Sequence, residues 1–162
     1  MHIQFITTGG TIHKIYFDAL SQFEVGDSQV KAMLTDALVD FSYEVTFIMM
    51  KDSLAITEED RATIRAHVES SEHNHFILNH GTDTMPETAA TLRGIEDKTA
   101  VLTGALTPAR FRTTDAVFNI GMAVGAVRAA LPGVYTAISG RVFEAGQVRK
   151  NREANRFEST LD

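Results

Sequence analysis

Short runs of apolar residues alternate with segments of helical periodicity along the chain. The apolar runs predict strands at residues 3–7, 44–50, 76–79, 100–103 and 134–139, and a terminal hairpin at about 141–149. The helical patterns predict helices at residues 28–40, 58–71, 86–93 and 115–131. Repeated strand-then-helix units form parallel strands joined by right-handed crossovers. These patterns predict an α/β three-layer sandwich with a mainly parallel sheet, helices on both faces and a C-terminal β-hairpin.

Four segments that are far apart in the sequence follow predicted strands. They contain Thr11, Ser53, Thr82 and Ala105. Ligands bind at the carboxyl ends of the strands in open α/β sheets, so these segments are expected to meet at one edge. Within the last helix, the four-residue spacing of two glycines at 121 and 125 is interpreted as close helix packing in a core.

Two turns rich in threonine and glycine hold most of the candidate chemistry. The first spans residues 6–12 (ITTGGTI) and the second spans residues 78–84 (LNHGTDT). A threonine hydroxyl is a nucleophile only when a neighbour takes its proton, and glycines let backbone N–H groups approach a developing oxyanion. One such turn alone is common as a capped strand-to-helix connection. Two together favour an acyl-transfer site.

The motifs resemble those of the bacterial-type L-asparaginases, a family with a threonine nucleophile. Residues 8–12 resemble the first family signature, and residues 80–85 (HGTDTM) resemble the second without a departure. Residues 51–57 resemble the loop whose serine holds a substrate carboxylate. Residues 102–108 with 115–119 resemble the segment after the fourth strand, and residues 141–150 resemble the hairpin with the catalytic lysine.

The resemblance covers essentially the whole chain and implies a single domain of the amino-terminal asparaginase type over residues 1–162. Family members usually have about twice this length, so the usual carboxy-terminal domain is expected to be absent. A domain of this size can bury most of its unfolded surface.

The implied activity is hydrolysis of the side-chain amide of L-asparagine, or of a close amino acid amide, without a cofactor. The resemblance implies catalytic roles for Thr11, Thr82, Asp83, Lys150 and Tyr16. The residues it implies for substrate binding are Gly10, Ser53, Gly81, Thr82, Asp83 and Ala105. Either Thr11 or Thr82 would be the acylated residue. Lys150 can act as a base only if its pKa is depressed or its proton is shared, because a free ammonium is no base at neutral pH.

Residues 13–26 form a long connection without a clear apolar period, which is typical of an active-site lid. The family carries a tyrosine on this loop, where Phe23 stands in this chain. Tyr16 would either supply the missing hydroxyl or pack the loop against the domain.

Substrate recognition is predicted from two side chains. Asp83 would pair with a substrate ammonium and Ser53 would hydrogen-bond its carboxylate. Ala55 stands where the family usually has an acidic residue, which would weaken asparagine binding or shift the substrate. The alternative function is an amino-acid-binding module with weak or no turnover, or an amidase subunit that needs a partner chain. A homo-oligomer, dimer or tetramer, is expected from the family.

Composition narrows the remaining classes of function. The net charge of −6 gives no reason to expect nucleic acid or an anionic membrane as a partner. Without cysteine there is no disulfide and no thiol catalysis. The chain begins without a secretory pattern, so a cytoplasmic location is expected. The most apolar predicted helix, 116–131, is too short to span a bilayer.

Three further polar features each allow more than one interpretation. His73 and His75 have a spacing that could bind a metal on a strand, but a helix-to-strand connection is preferred, and no metal site is predicted. His80 would either tune the site or be satisfied by backbone hydrogen bonds. The segment containing Asp115 and Asn119 would either orient the site or cap its helix, and the cap is preferred.

Overall fold

The computed structural model describes residues 1–10, 12, 29–109 and 111–161. Its eight strands are β1 His2–Gly9, β2 Ser42–Lys51, β3 His75–Asn79, β4 Thr99–Thr103, β5 Gly133–Ile138, β6 Arg141–Glu144, β7 Val148–Asn151 and β8 Arg156–Ser159. Its α-helices are α1 Gln29–Asp36, α2 Glu58–Ser70, α3 Met85–Thr91 and α4 Ala116–Ala129. A short 3₁₀ turn spans Ser53–Ala55.

Six of these strands form one sheet in the order β2-β1-β3-β4-β5-β6. The first five strands are parallel, and β6 runs antiparallel to β5 at the edge. Strands β3 and β4 are almost entirely buried, as expected for parallel strands covered on both faces. The predicted fold class is confirmed.

Helices cover both faces of the sheet. On one face, Ile64 and Val68 of α2 and Met85 of α3 pack against Ile6 and Phe76 in a core that also includes Val148 and Phe157 of the last two strands. On the other face, residues of α1 and α4 form a second core: Val30, Leu34, Ala116, Ile120, Ala123 and Val127. The sheet is the middle layer of three. No helix in the described ranges is long and apolar enough to cross a membrane.

The terminal hairpin was predicted at residues 141–149, but the two strands in this range do not pair with each other. The chain reverses earlier, at Ser139 and Gly140, which both have positive φ, so β6 pairs with β5. Strand β7 instead pairs with β8 in a separate two-stranded sheet. Strand β8 was missed because its four residues, Arg-Phe-Glu-Ser, include a single large apolar side chain.

Gly121 and Gly125 do not mark a packed helix face. Both are exposed, and a Cβ added at either would meet nothing within 4 Å. The prediction of close packing at this pair is therefore wrong. The buried face of α4 is formed by its other small and branched residues.

Candidate active site

Glycines from three strand ends pack without room for side chains at the carboxyl edge of the sheet. A Cβ on Gly10 would lie 2.6 Å from the backbone nitrogen of Gly81, and a Cβ on Gly9 would strike the backbone of Lys51. A Cβ on Gly104 would strike the carbonyl oxygen of His80. We call Gly9, Gly10, Gly81 and Gly104 the glycine platform. It brings the two threonine-bearing turns into direct backbone contact.

Backbone conformation also restricts the first turn to glycine. Gly9 has φ +106° and Gly10 has φ +88°, both in the region that L side chains rarely adopt. Strand β1 therefore leaves the sheet through two residues that only glycine accommodates without strain. Its pairing with β2 is irregular at this point, between Thr7 and Gly9.

The predicted substrate-binding serine lies against this platform. A Cβ on Gly81 would be 2.6 Å from Cβ of Ser53, whose side chain is almost fully buried. Thr84 donates its hydroxyl to the carbonyl oxygen of Ser53 at 2.6 Å, which ties the second turn to the 3₁₀ turn. Asp52 caps that turn by accepting the N–H of Leu54 at 3.0 Å.

The remaining predicted residues are distributed between the described and the undescribed parts of the chain. Thr82 is buried and Asp83 is half-buried in the turn between β3 and α3, and Ala105 is buried in the loop after β4. Thr11 and Tyr16 lie outside the described residues, as does Phe23.

Polar residues occupy matched positions near the ends of the strands that lead into the platform. Thr7, Asn79 and Thr103 occupy matched positions on the neighbouring strands β1, β3 and β4. The Thr7 hydroxyl and both amide atoms of Asn79 are buried and have no hydrogen-bond partner in the described part of the chain. Buried polar groups without partners are uncommon in stable folds, and they occur here at the candidate site.

His80 is a neutral, structural histidine. Its ring is fully buried, and Nδ1 lies 2.7 Å from the carbonyl oxygen of Gly81, which can only accept, so Nδ1 carries the proton. Thr88 donates its hydroxyl to Nε2 at 2.9 Å and accepts from Nε of Arg61 at 3.3 Å. Burial lowers the pKa of His80 to about 4. Of the two interpretations given for His80, the one observed is a histidine whose ring makes a hydrogen bond to the backbone.

Asp115 does not cap its own helix, so the preferred interpretation of this segment is wrong. Its carboxylate accepts the backbone N–H groups of Leu106 and Thr107 at 3.0–3.1 Å, and its side chain makes no cap bond to α4. Asn119, one turn along α4, donates to Asp115 at 2.9 Å and to the Gly104 carbonyl at 2.9 Å. The pair orients the loop that follows β4.

Lys150 lies on the β7–β8 hairpin. It lines, with Asp83, an open cleft of about 750 Å³ between α3 and the hairpin. Its Nζ donates to Oδ1 of Asn155 at 2.9 Å and lies 4.9 Å from the ring centre of Phe157. Partial burial lowers the pKa of Lys150, and the carboxylates of Asp83 and Asp115 oppose this shift.

The hairpin also contacts the second turn directly. Arg152 donates from Nη2 to the backbone carbonyl of Asp83 at 3.1 Å. Neither Arg152 nor Asn155 was singled out in the sequence, because each lies in a polar stretch without a motif of its own. The Asp115–Asn119 pair did carry a signal, since residues four apart on a helix share a face.

Comparisons with known proteins agree with this architecture. The chain matches the family model "Asparaginase, N-terminal" over residues 2–160. The structure is similar to the thermostable L-asparaginase of Thermococcus kodakarensis, with TM-score 0.84 and 26% identity. It shares its fold with L-asparaginase I of Vibrio cholerae, with TM-score 0.84 and 22% identity. No significant match was found among curated proteins.

Both structural alignments involve half of the known protein. Each covers 98% of this chain and 51% of the matched L-asparaginase. The chain therefore spans about half the length of the enzymes that it resembles in structure.

Proposed function

The chain belongs to the asparaginase family, and we propose that it is an amidohydrolase that acts on the side-chain amide of L-asparagine or a close amino acid amide. The observation that carries this proposal is the backbone contact between Gly10 and Gly81. That contact joins the turn preceding Thr11 in the sequence to the turn that contains Thr82 and Asp83. Both threonine motifs would thus serve one site.

The proposed reaction is a double displacement. The hydroxyl oxygen of Thr11 attacks the amide carbon, the carbon–nitrogen bond breaks, and the nitrogen leaves as ammonia after taking a proton. Water then attacks the resulting ester, which releases the carboxylic acid and returns the proton to Thr11. Thr82 is the alternative nucleophile. Backbone N–H groups of the two turns would stabilise the oxyanion in each step, at a few kcal/mol per donor.

The proton path proposed for the attack runs through Thr82 and Lys150. Burial lowers the pKa of Lys150, which favours release of its proton, whereas Asp83 favours the charged form. The bond from Lys150 to Asn155 places Nζ on the hairpin side of the cleft. Proton transfer would require the lysine side chain to leave Asn155 and turn towards Thr82.

The proposed substrate contacts match an amino acid in which both α-groups are charged. Asp83 is half-buried at the cleft, where its carboxylate could pair with an α-ammonium. Ser53, packed on Gly81, would hold the α-carboxylate. Such charge-assisted hydrogen bonds are stronger and more directional than neutral ones. The proposal includes Tyr16 among the catalytic residues, and no cofactor is needed for the chemistry.

We include a homo-oligomer in the proposal. Val117 and Phe118, in the first turn of α4, are 53% and 62% exposed, next to the loop that Asp115 and Asn119 hold. Exposed neighbouring apolar side chains near a site are typical of contact surfaces. Light scattering after size-exclusion chromatography measures the state directly.

Ammonia release tests the proposed activity. The purified chain would be incubated with asparagine, glutamine and a panel of small amides, beside Thr11→Ala and Thr82→Ala. We expect release from an amino acid amide that falls at least about 100-fold in both variants. Thr63→Ala is the matched control, because Thr63 is exposed on α2 and its hydroxyl donates to the Glu59 carbonyl one turn earlier on the same helix.

The outcome that would contradict the enzyme is equally specific. A folded protein that releases no ammonia from any amide is not a stand-alone amidohydrolase. Thermal stabilisation by the same amino acids without release would instead identify the amino-acid-binding module.

A further inference from the structure

A cluster of two histidines and a glutamate lies at the amino edge of the sheet, opposite the glycine platform. One ring nitrogen of His2, one of His73 and one carboxylate oxygen of Glu44 all lie within 4.8 Å of one another. Nε2 of His73 is 3.5 Å from Oε1 of Glu44, and the two imidazole rings have centres 4.4 Å apart. These donors come from β1, β2 and the α2–β3 connection.

Strand register explains why these residues meet. His2 pairs with Ser42 and Gln4 pairs with Glu44, so the side chains of His2 and Glu44 share one face of two neighbouring strands. On the other side of β1, Gln4 pairs with Phe76, which brings the residues before β3 beside His2. The arrangement follows from main-chain pairing rather than from flexible surface side chains.

His2 has one ring nitrogen that makes no hydrogen bond within the described residues. This atom is Nε2, which is buried, whereas Nδ1 lies 3.2 Å from Oγ of Ser42. Ser42 directs its own proton weakly to the Met1 carbonyl, at 3.5 Å, so its oxygen is available to accept from Nδ1. In this tautomer Nε2 carries a lone pair. A metal-binding histidine is usually held in the same way, with its other nitrogen donating to an oxygen.

The connection that carries His73 is held before any ligand arrives. The backbone N–H of His73 donates to Oγ of Ser71 at 3.2 Å, and Nζ of Lys98 donates to the His73 carbonyl at 2.9 Å. Lys98 also donates to the Ser71 carbonyl at 2.6 Å. The cluster remains accessible, since the His73 and Glu44 side chains are 35% and 46% exposed. Preformed donors lower the entropic cost of binding.

We propose that His2, Glu44 and His73 bind a divalent transition metal, with zinc as the best-matched ion. Zinc takes imidazole nitrogen and carboxylate oxygen at about 2.0–2.2 Å, and three protein ligands leave a fourth, tetrahedral position for water. Donors of a tetrahedral site lie about 3.3 Å apart at these bond lengths, close to the 3.5 Å between His73 and Glu44. Calcium and magnesium prefer sites built from oxygen alone.

The site would brace the start of the sheet and would not take part in amide hydrolysis. It joins the first residues of β1 and β2 to the segment before β3, whereas the glycine platform lies at the opposite ends of these strands. This inference is therefore independent of the proposed function. It also differs from the pairing weighed in the sequence, because His75 is not a member of the cluster.

Zinc titration of untagged, chelator-treated protein tests the site. We expect one zinc per chain by calorimetry and a rise of about 5 °C or more in the melting temperature once zinc exceeds its dissociation constant 100-fold. Magnesium at the same concentration is expected to leave the melting temperature unchanged. Ammonia release is also expected to be the same with and without zinc.

Single substitutions test whether zinc binds to this cluster or to a neighbouring histidine. Glu44→Gln keeps the shape of an exposed side chain, and His73→Ala removes a second donor; each is expected to weaken zinc binding at least about tenfold. His75→Ala is the matched control and is expected to bind zinc as the wild type does. Absence of zinc binding to the wild type, or unchanged binding in both cluster variants, would overturn the proposal. An equal loss in His75→Ala would overturn it as well.

Discussion

The glycine platform and the β7–β8 hairpin carry the two groups of candidate site residues and are built in different ways. The platform is backbone packed on backbone, with Gly10 against Gly81 and no space for a methyl group. The hairpin packs Val148 and Phe157 into the core, and its polar side chains form a hydrogen-bond network in which Glu158 accepts from Arg149, Arg156 and Asn151 at 2.8–3.0 Å. These hydrogen bonds, with Arg156 the largest contributor, lower the pKa of Glu158 to about 2.

This difference in construction suggests different contributions: the platform would set the geometry of the site, and the hairpin would carry its acid–base group. Backbone packing cannot adjust without moving strands, so the platform fixes where a substrate carbonyl would sit. Side-chain hydrogen bonds exchange partners easily, so the hairpin can let Lys150 leave Asn155. Substitutions in the platform should therefore affect both folding and activity, whereas substitutions of the polar side chains of the hairpin should affect activity alone.

The largest effect on activity is expected from the hairpin lysine. Lys150→Met removes the titratable group but keeps the apolar stem over Phe157. We expect ammonia release to fall about 10²- to 10⁴-fold, the usual contribution of a positioned acid–base group. The melting temperature should change by less than about 2 °C, because the side chain is partly exposed.

Arg149→Met is the control for this prediction, because Arg149 is the neighbouring cation on the same strand. Its ion pair with Glu158 is exposed and worth little. Equal losses of activity in Arg149→Met and Lys150→Met would mean that charge on the hairpin matters rather than the lysine itself.

A methyl group added to the platform should lower both the stability and the activity of the protein. Gly10→Ala forces a side chain into a positive φ and into the backbone of Gly81. We expect a loss of about 2 kcal/mol or more in the free energy of unfolding and about 100-fold in activity. Urea denaturation and initial rates of ammonia release measure the two effects.

Gly125→Ala provides the matched substitution outside the platform. That glycine lies on the exposed face of α4 with open space around it. Alanine there should raise the free energy of unfolding by about 0.5–1 kcal/mol and leave activity unchanged. A platform variant as stable and as active as Gly125→Ala would show that the packing does not define the site.

Loss of the Asp115 carboxylate should produce an intermediate effect. Asp115→Asn replaces a charged acceptor for the N–H groups of Leu106 and Thr107 by a neutral amide. We expect a loss of about 1–2 kcal/mol in stability and about tenfold in activity, since the loop after β4 is less firmly held. If activity falls with no loss of stability, Asp115 acts on the site electrostatically rather than by holding the loop.

Stability should depend on pH through the buried His80, which precedes Gly81 of the platform. The pKa of His80 is about 4 in the fold, where Arg61 and the Thr88 hydroxyl face it, and about 6.5 when unfolded. Between these values the unfolded chain binds more protons, so stability should fall as pH drops from about 6.5 to 4, by up to about 3 kcal/mol. Above pH 6.5 this contribution should be constant.

Urea unfolding from pH 4 to 7 measures this dependence. In His80→Gln the histidine contribution should disappear, so stability should change less across the same range. His67→Gln, which removes a half-buried histidine on α2, is the control. Profiles of wild type and His80→Gln that remain parallel would contradict the assignment of His80 as a buried neutral group.

Buried apolar runs made the main sheet predictable. Strands β3 and β4 are short and covered on both faces, so their sequences read as continuous apolar segments between turns. The hairpin could not be predicted in the same way, because β7 and β8 are four residues long and most of their side chains are polar or charged. The sheet partner of β6 depended on the two-residue turn at Ser139 and Gly140, and the predicted strand at 134–139 ran into this Ser-Gly turn.

Features of the candidate site that depend on backbone conformation could be predicted from sequence motifs. The roles of side chains that depend on contacts between distant elements could not. The contact of Gly10 with Gly81 follows from two glycine turns at the ends of adjacent parallel strands. The bonds from Asp115 to Leu106 and Thr107 instead depend on how α4 packs beside β4. The same sequence position would serve equally well as a helix cap, which is why that interpretation was preferred.

Trapping the acyl-enzyme tests the central claim most directly, namely that the two threonine turns form one amide-hydrolysing site. The protein would be quenched in acid during turnover of asparagine, digested, and its peptides weighed by mass spectrometry. The account predicts one added aspartyl group on the peptide containing Thr11 or on that containing Thr82, absent when the modified threonine is replaced by alanine. An adduct at any other residue, or ammonia release that persists in the Thr11→Ala/Thr82→Ala double variant, would contradict it.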